Sequence, residues 1–176
     1  MRAFETDTIG PNAGRRGTRK RLLVVLALAF GLGAAGSAGG VEIQGHRGAR
    51  GLAPENTLAG FALALSIGVT TLELDVGVTA DGVVVVAHDP RLNPALARTA
   101  DGSWLAAPGP PLSSLTLAEL RRYDVGRIDP QSRYARRFPD QRPVDGARIP
   151  MLAEVVALSR KAGNHTVRFN IETKLG

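Results

Sequence analysis

Thr71-Leu72-Glu73-Leu74-Asp75-Val76-Gly77-Val78 decides the fold, because two carboxylates sit at alternate positions in an otherwise apolar, β-rich run. Side chains two apart on a strand share a face, so Glu73 and Asp75 point one way and Leu72, Leu74 and Val76 the other. An ionised carboxylate loses its hydration when buried and is rarely found inside without a partner. Something positive must therefore face the pair, and a metal ion is the leading candidate. Ala80-Asp81-Gly82 then signals a tight turn before Val83–Val86 and His88-Asp89. The connection is too short for a crossover helix, so the second run is predicted to fold back as a hairpin, bringing His88 near the level of Asp75.

Upstream, Val41-Glu42-Ile43-Gln44 reads as a short strand entering Gly45-His46-Arg47-Gly48-Ala49-Arg50-Gly51, a turn whose glycines permit close backbone approach to a ligand. Leu58, Phe61, Ala62 and Leu65 recur at helical spacing, with Asn56 or Thr57 as cap and Gly68 as stop. Downstream, residues 90–146 are rich in proline, glycine and arginine and mostly aperiodic. A segment that long is functional or mobile, and it is expected to lie over the mouth of the site. Within it, Thr116-Leu117-Ala118-Glu119 is a capping-box pattern opening a short helix to about Tyr123, with Leu117 and Leu120 buried. Pro150 suits the first turn of another helix, carrying Leu152, Val155, Val156 and Ser159 on one face and ending at Gly163. Val167 to Lys174 alternates strictly, placing Asn170, Glu172 and Lys174 together. Strands alternating with helices imply a parallel α/β sheet, and His46, the Glu73/Asp75 pair and Glu172 fall at or near strand ends, as functional residues do in a (β/α)₈ barrel.

The chain has 176 residues, is 44% hydrophobic and carries a net charge of +6. Residues 1–38 hold six basic and two acidic residues, so +4 of that charge belongs to them and only +2 to the rest. The high isoelectric point thus gives little support for nucleic-acid binding. The same segment has the order of a secretory signal peptide: a basic run, the apolar stretch Leu22–Leu32, then small residues with cleavage expected near Ala38. A retained anchor is the alternative. Export to the periplasm or beyond is the expectation, and with no cysteine the protein uses neither disulfides nor thiolate metal ligands.

Seven segments in order, His46-Arg47-Gly48, Pro54-Glu55-Asn56-Thr57, Glu73-Leu74-Asp75-Val76, Thr79-Ala80-Asp81-Gly82, His88-Asp89, Ile149-Pro150 and Ile171-Glu172-Thr173-Lys174, resemble the glycerophosphodiester phosphodiesterases across residues 43–174. The resemblance implies a TIM (β/α)₈ barrel of the phospholipase-C-like phosphodiesterase type, a divalent metal, and hydrolysis of glycerophosphodiesters to an alcohol and glycerol 3-phosphate. A complete barrel needs about 250 residues. The expectation is therefore an N-terminal portion, residues 39–176, truncated after three or four strands, with 90–146 as an insertion. By position, Glu73, Asp75 and Glu172 resemble the metal ligands and His46 and His88 the acid/base pair. All-oxygen ligands suit Ca²⁺ or Mg²⁺. Arg47 fits as a phosphate clamp, Glu55 as a second substrate contact holding the site or a glycerol hydroxyl, and Lys174 as a charge that offsets the carboxylates. The expected partner is a small glycerophosphodiester, attacked by water or by its own glycerol hydroxyl, with no nucleic acid and with membrane contact only through an uncleaved leader. A related phospholipase acting on intact lipid and a non-catalytic barrel that binds phosphate esters are the other readings.

Overall fold

A computed structural model describes residues 41–174, so the leader expected at 1–38 lies outside the described residues. The elements belong to one unit, Glu42–Gly176. They are β1 (Gln44–His46), α1 (Leu58–Ile67), β2 (Thr71–Val78), β3 (Val84–Val86), α2 (Leu117–Leu120), α3 (Leu152–Lys161) and β4 (Arg168–Thr173), with 3₁₀ turns at Leu112–Ser114 and Ala135–Arg137.

β2 is the centre of the sheet. β1 and β4 flank it in parallel, and β3 folds back antiparallel on its last residues, pairing Val76 with Val86 and Val78 with Val84. The predicted hairpin is therefore present, and the parallel strands with their connecting helices form part of an α/β barrel. β1 starts three residues later than the sequence suggested. Ile43 is instead tied to the end of the helix connection, its carbonyl accepting from the Thr70 and Thr71 N–H groups, so pairing begins only where β2 itself begins.

The alternation in β2 sorts its two faces. Leu72, Leu74 and Val76 pack with Phe61 and Ala64 of α1 and Val155 of α3 in one apolar cluster. Burial of each such large side chain contributes about 2 kcal/mol. Glu73 and Asp75 are left on the other face, which is the interior side of a barrel. Local caps fix where α1 starts and stops: Thr57, not Asn56, accepts from the Gly60 N–H at 3.1 Å, and Gly68 closes the helix at φ 89°. α3 begins after Met151, later than Pro150 would place it, because the Pro150 carbonyl is used by the Val86 N–H of β3.

Residues 90–146 are more ordered than their composition suggested. Leu92, Ala97, Leu112 and Leu120 bury with Val85 and Ile149 in a second apolar cluster beneath β3. α2 is one turn long, with the predicted capping box and Leu120 fully buried, whereas Leu117 is only partly covered. Polar ties between distant residues complete the segment. Arg98 donates at 2.6 Å to both Asp124 and Asp145, and Arg127 donates to Asp145 at 2.7 Å.

These ties set an acid limit on stability. The Arg127 hydrogen bond, followed by that of Arg98, holds the Asp145 carboxyl at about 2. Asp124 is also held below the usual range: its burial opposes this, but the Gly126 and Gly146 N–H groups and Arg98 outweigh it. A folded-state pKa below the unfolded value contributes stability that is complete above pH about 4 and is lost as pH falls toward the folded pKa. The midpoint of thermal unfolding should therefore drop between pH 5 and pH 2.5, and Asp145→Asn should lower the midpoint at pH 6 while flattening that drop. Calorimetry across the pH range measures both.

Candidate active site

The parallel registers assemble the acidic group. His46 of β1 lies level with Glu73, and Asp75 lies level with Glu172 of β4. Residues at one level of adjacent parallel strands present side chains to one face. One oxygen from each of Glu73, Asp75 and Glu172 falls within 4.8 Å of the others. Asp75 is 1% exposed and Glu73 6%, while Glu172 stands on an exposed strand.

Such a group is self-repelling, and the surrounding donors show how the chain holds it. The Arg47 N–H donates to Glu73 at 2.7 Å, the Asn56 amide donates to Asp75 at 3.0 Å, and the Arg47 guanidinium lies 3.4 Å from Asp75. Lys174 places its ammonium 3.2 Å from Asp75 and bonds Glu172, whose hydrogen bond raises the lysine's pKa against the opposing effect of desolvation.

Two residues reach the site by adopting left-handed backbone: Arg47 at φ 54° and Asn56 at φ 51°. The Asn56 N–H donates to the Arg47 carbonyl at 3.0 Å, so the two unusual conformations brace each other. Asparagine tolerates this region, whereas arginine does so at a cost of about 1–3 kcal/mol. Beneath them, Gly48 at φ 83° seats the turn directly on the backbone of Gly60 in α1, where a Cβ would stand 2.8 Å from a backbone carbon.

The two histidines differ in the proton they present. Arg50 can only donate, so its 2.8 Å contact makes His46 Nδ1 an acceptor and leaves the ring proton on Nε2, which is 3.7 Å from Glu73. His88 Nδ1 instead meets the Asp89 carboxylate at 2.7 Å, which puts its proton on Nδ1 and a lone pair on Nε2. Asp89 is oriented in turn by the Asn93 amide at 2.7 Å. His88, Asp89, Glu55 and Asn56 share the wall of a cavity of about 50 Å³ backed by Leu92 and Val125.

Arg47 and Glu55, expected to meet substrate, are found engaged with the protein. Arg47 donates to Glu55 at 2.9 Å, and the other Glu55 oxygen accepts from the Tyr134 hydroxyl. Burial, then the Glu55 charge and hydrogen bond, pushes the Tyr134 phenol up to about 12, so it remains a donor. Burial alone would lower the Arg47 pKa, but Glu55, with Asp75 beyond, raises it. Arg50, Asn56 as a donor to Asp75, Asp89 as the partner that orients His88, and Tyr134 were not foreseen. His88-Asp89 was visible as a pair, but Tyr134 is 79 residues from Glu55 and carries no local signal.

The arrangement fits a hard cation. All ligands are oxygens, and the four carboxylates Glu55, Glu73, Asp75 and Glu172 are set against two cations, Arg47 and Lys174, the latter 3.2 Å from Asp75 Oδ1. That leaves a local charge of two negatives.

Comparison with known proteins agrees with this geometry. The pattern of the glycerophosphoryl diester phosphodiesterase family matches residues 46–176. A glycerophosphodiester phosphodiesterase of Caldanaerobacter subterraneus is 34% identical over 131 residues, covering 74% of this chain and 44% of that protein. Mouse glycerophosphodiester phosphodiesterase 1 is 36% identical over 132 residues, covering 75% and 34%. The chain thus spans less than half the length of these relatives. Among solved structures, a Silicibacter pomeroyi protein assigned to the glycerophosphoryl diester phosphodiesterases superposes with a TM-score of 0.74 at 44% identity, covering 77% of this chain and 46% of that one. An Oleispira antarctica phosphodiesterase in complex with its product sn-glycerol 3-phosphate superposes at 0.54 with 29% identity, covering 76% and 44%. With one family pattern running from the His46 turn through the Glu172 strand, the chain belongs to the glycerophosphoryl diester phosphodiesterase family.

Proposed function

We propose that the protein hydrolyses glycerophosphodiesters to an alcohol and glycerol 3-phosphate, with Ca²⁺ or Mg²⁺ held by Glu73, Asp75 and Glu172. The observation that carries this is three carboxylate oxygens within 4.8 Å of one another on the parallel strands β2 and β4, with His46 of the adjoining β1 level with Glu73. A bound cation would polarise the phosphoryl oxygen and offset charge on the departing alkoxide. Arg47, already aimed at the carboxylates, supplies guanidinium donors to a phosphate. His88, with its Nε2 lone pair and its Nδ1 proton fixed by Asp89, takes the proton from the attacking hydroxyl. His46, with its proton on Nε2, delivers one to the leaving oxygen. Lys174 keeps the carboxylates together before the cation arrives. The leader is part of the same proposal: export carries the protein to glycerophosphodiesters outside the cytoplasm.

The test is release of glycerol 3-phosphate from glycerophosphocholine with added cation and with chelator. Release should require the cation, and His46→Ala should lower it about 10²- to 10⁴-fold. Chelator-insensitive release, or full activity in His46→Ala, would overturn the proposal.

A further inference from the structure

Tyr134 stands out because nothing in the carboxylate trio or the histidines needs it. It belongs to the long segment between β3 and α3, yet its hydroxyl donates to a carboxylate that is 8% exposed and lies against Arg47. The tyrosine ring has its own packing, with Phe138 edge-on at 5.0 Å and the Arg137 guanidinium 5.9 Å from its centroid. The segment also docks on the His46 turn independently of the hydroxyl. Gln141 donates to the Arg50 carbonyl at 2.7 Å, the Arg142 N–H donates to the Leu52 carbonyl at 2.9 Å, and the Arg50 guanidinium lies 4.9 Å from the Phe138 ring centroid. The hydroxyl is thus an addition to a contact already made.

Its effect is on Glu55. A carboxylate with one oxygen free rotates and samples other donors; with Tyr134 on one oxygen, the second is left for Arg47 Nη1. Glu55 then fixes the guanidinium, whose buried Nε lies 3.4 Å from Asp75 Oδ2 and makes no hydrogen bond. A donor held desolvated and without a hydrogen bond is costly in the free protein and is set to gain when an anion arrives.

We propose that Tyr134 is a positioning residue for the phosphate clamp: through Glu55 it presets the Arg47 guanidinium beside the carboxylate trio, so the long segment sets the affinity for the substrate's phosphate. The proposal rests on the phosphodiesterase reading above, and its consequence is a preorganised donor whose ordering cost is met on folding instead of on binding.

Tyr134→Phe keeps the ring and removes only the hydroxyl. Three measurements on the full chain test it: steady-state hydrolysis, calorimetric binding of glycerol 3-phosphate with and without Ca²⁺, and the midpoint of thermal unfolding. The expected result is a rise of about tenfold in KM and in the dissociation constant, with kcat within twofold and the midpoint within a few degrees. Glu55→Gln should weaken binding at least as much, and adding Tyr134→Phe to it should have no further effect. A lowered midpoint with unchanged KM and dissociation constant, or additive losses in the double variant, overturns the proposal. If the unaltered protein releases no glycerol 3-phosphate, the phosphodiesterase reading fails, while the binding measurements still decide the role of Tyr134.

Discussion

Asp75→Asn should abolish the stabilisation that Ca²⁺ or Mg²⁺ gives the protein while leaving the cation-free protein close to its original stability. The two halves of this result come from the same surroundings. Asp75 interacts with two anions, since its carboxylate lies within 4.8 Å of those of Glu73 and Glu172, and with two cations, since Arg47 and Lys174 stand 3.4 and 3.2 Å away. Removing its charge deletes attractive and repulsive terms of similar size, and the asparagine still accepts from the Asn56 amide. The net change should be about 1 kcal/mol or less. For a bound cation the loss is one-sided, since the substitution removes the attraction of Asp75 and leaves the repulsion of Arg47 and Lys174 in place. Losing the most deeply buried ligand should lower affinity by about 100-fold or more, since even second-layer partners of metal ligands account for 10- to 100-fold. In the unaltered protein a cation at 100 times its dissociation constant adds about 2.7 kcal/mol of stability, several degrees in the thermal midpoint. Scans with and without cation check this, and a variant that keeps the full cation-induced shift would show that Asp75 is not a ligand.

The second large effect is expected at a position that carries no charge of its own. Gly60→Ala should destabilise the protein by about 3 kcal/mol, at the upper end of overpacking substitutions, despite the higher helix propensity of alanine. A Cβ at Gly60 would stand 2.4 Å from the Pro54 carbonyl oxygen, a backbone atom with no freedom to move alone. The same glycine accepts the Ala49 N–H at 3.0 Å through its carbonyl and faces Gly48 across a close approach between turn and helix. Any shift that relieves the clash also displaces the turn carrying His46 and Arg47. Urea unfolding should show a lowered midpoint, and cation affinity should fall although no ligand has changed. Alanine at exposed Ser66 of the same helix is the control and should cost little.

Much of this site was legible in the sequence because its logic is local. Strand periodicity put Glu73 and Asp75 on one face, Asp81-Gly82 gave the hairpin that brings His88 up, and Asn56 or Thr57 at one end and Gly68 at the other bounded α1. Glu172 and Lys174 were already on one face of β4. What was not legible depends on distance along the chain. Residues 90–146 showed no period because their order comes from contacts such as Arg98 with Asp124 and Asp145 and from a shared apolar cluster, none of which leaves a repeat. The left-handed backbone at Arg47 and Asn56 was equally hidden, since arginine gives no hint that it will adopt it. Without that geometry the engagement of Glu55 by Arg47 and Tyr134 cannot be deduced from the residues alone.

The unequal burial of the three carboxylates has a thermodynamic consequence of its own. Two of them ride on β2, the most enclosed strand, and the third on β4, which is largely exposed along its length. An ion shared between them is a cross-strand staple, so opening β4 away from β2 and releasing the ion become one linked equilibrium. The population of detached β4 must then fall in proportion as the site fills, and any molecule that frays or captures that strand would act, from outside the site, as an antagonist of the metal.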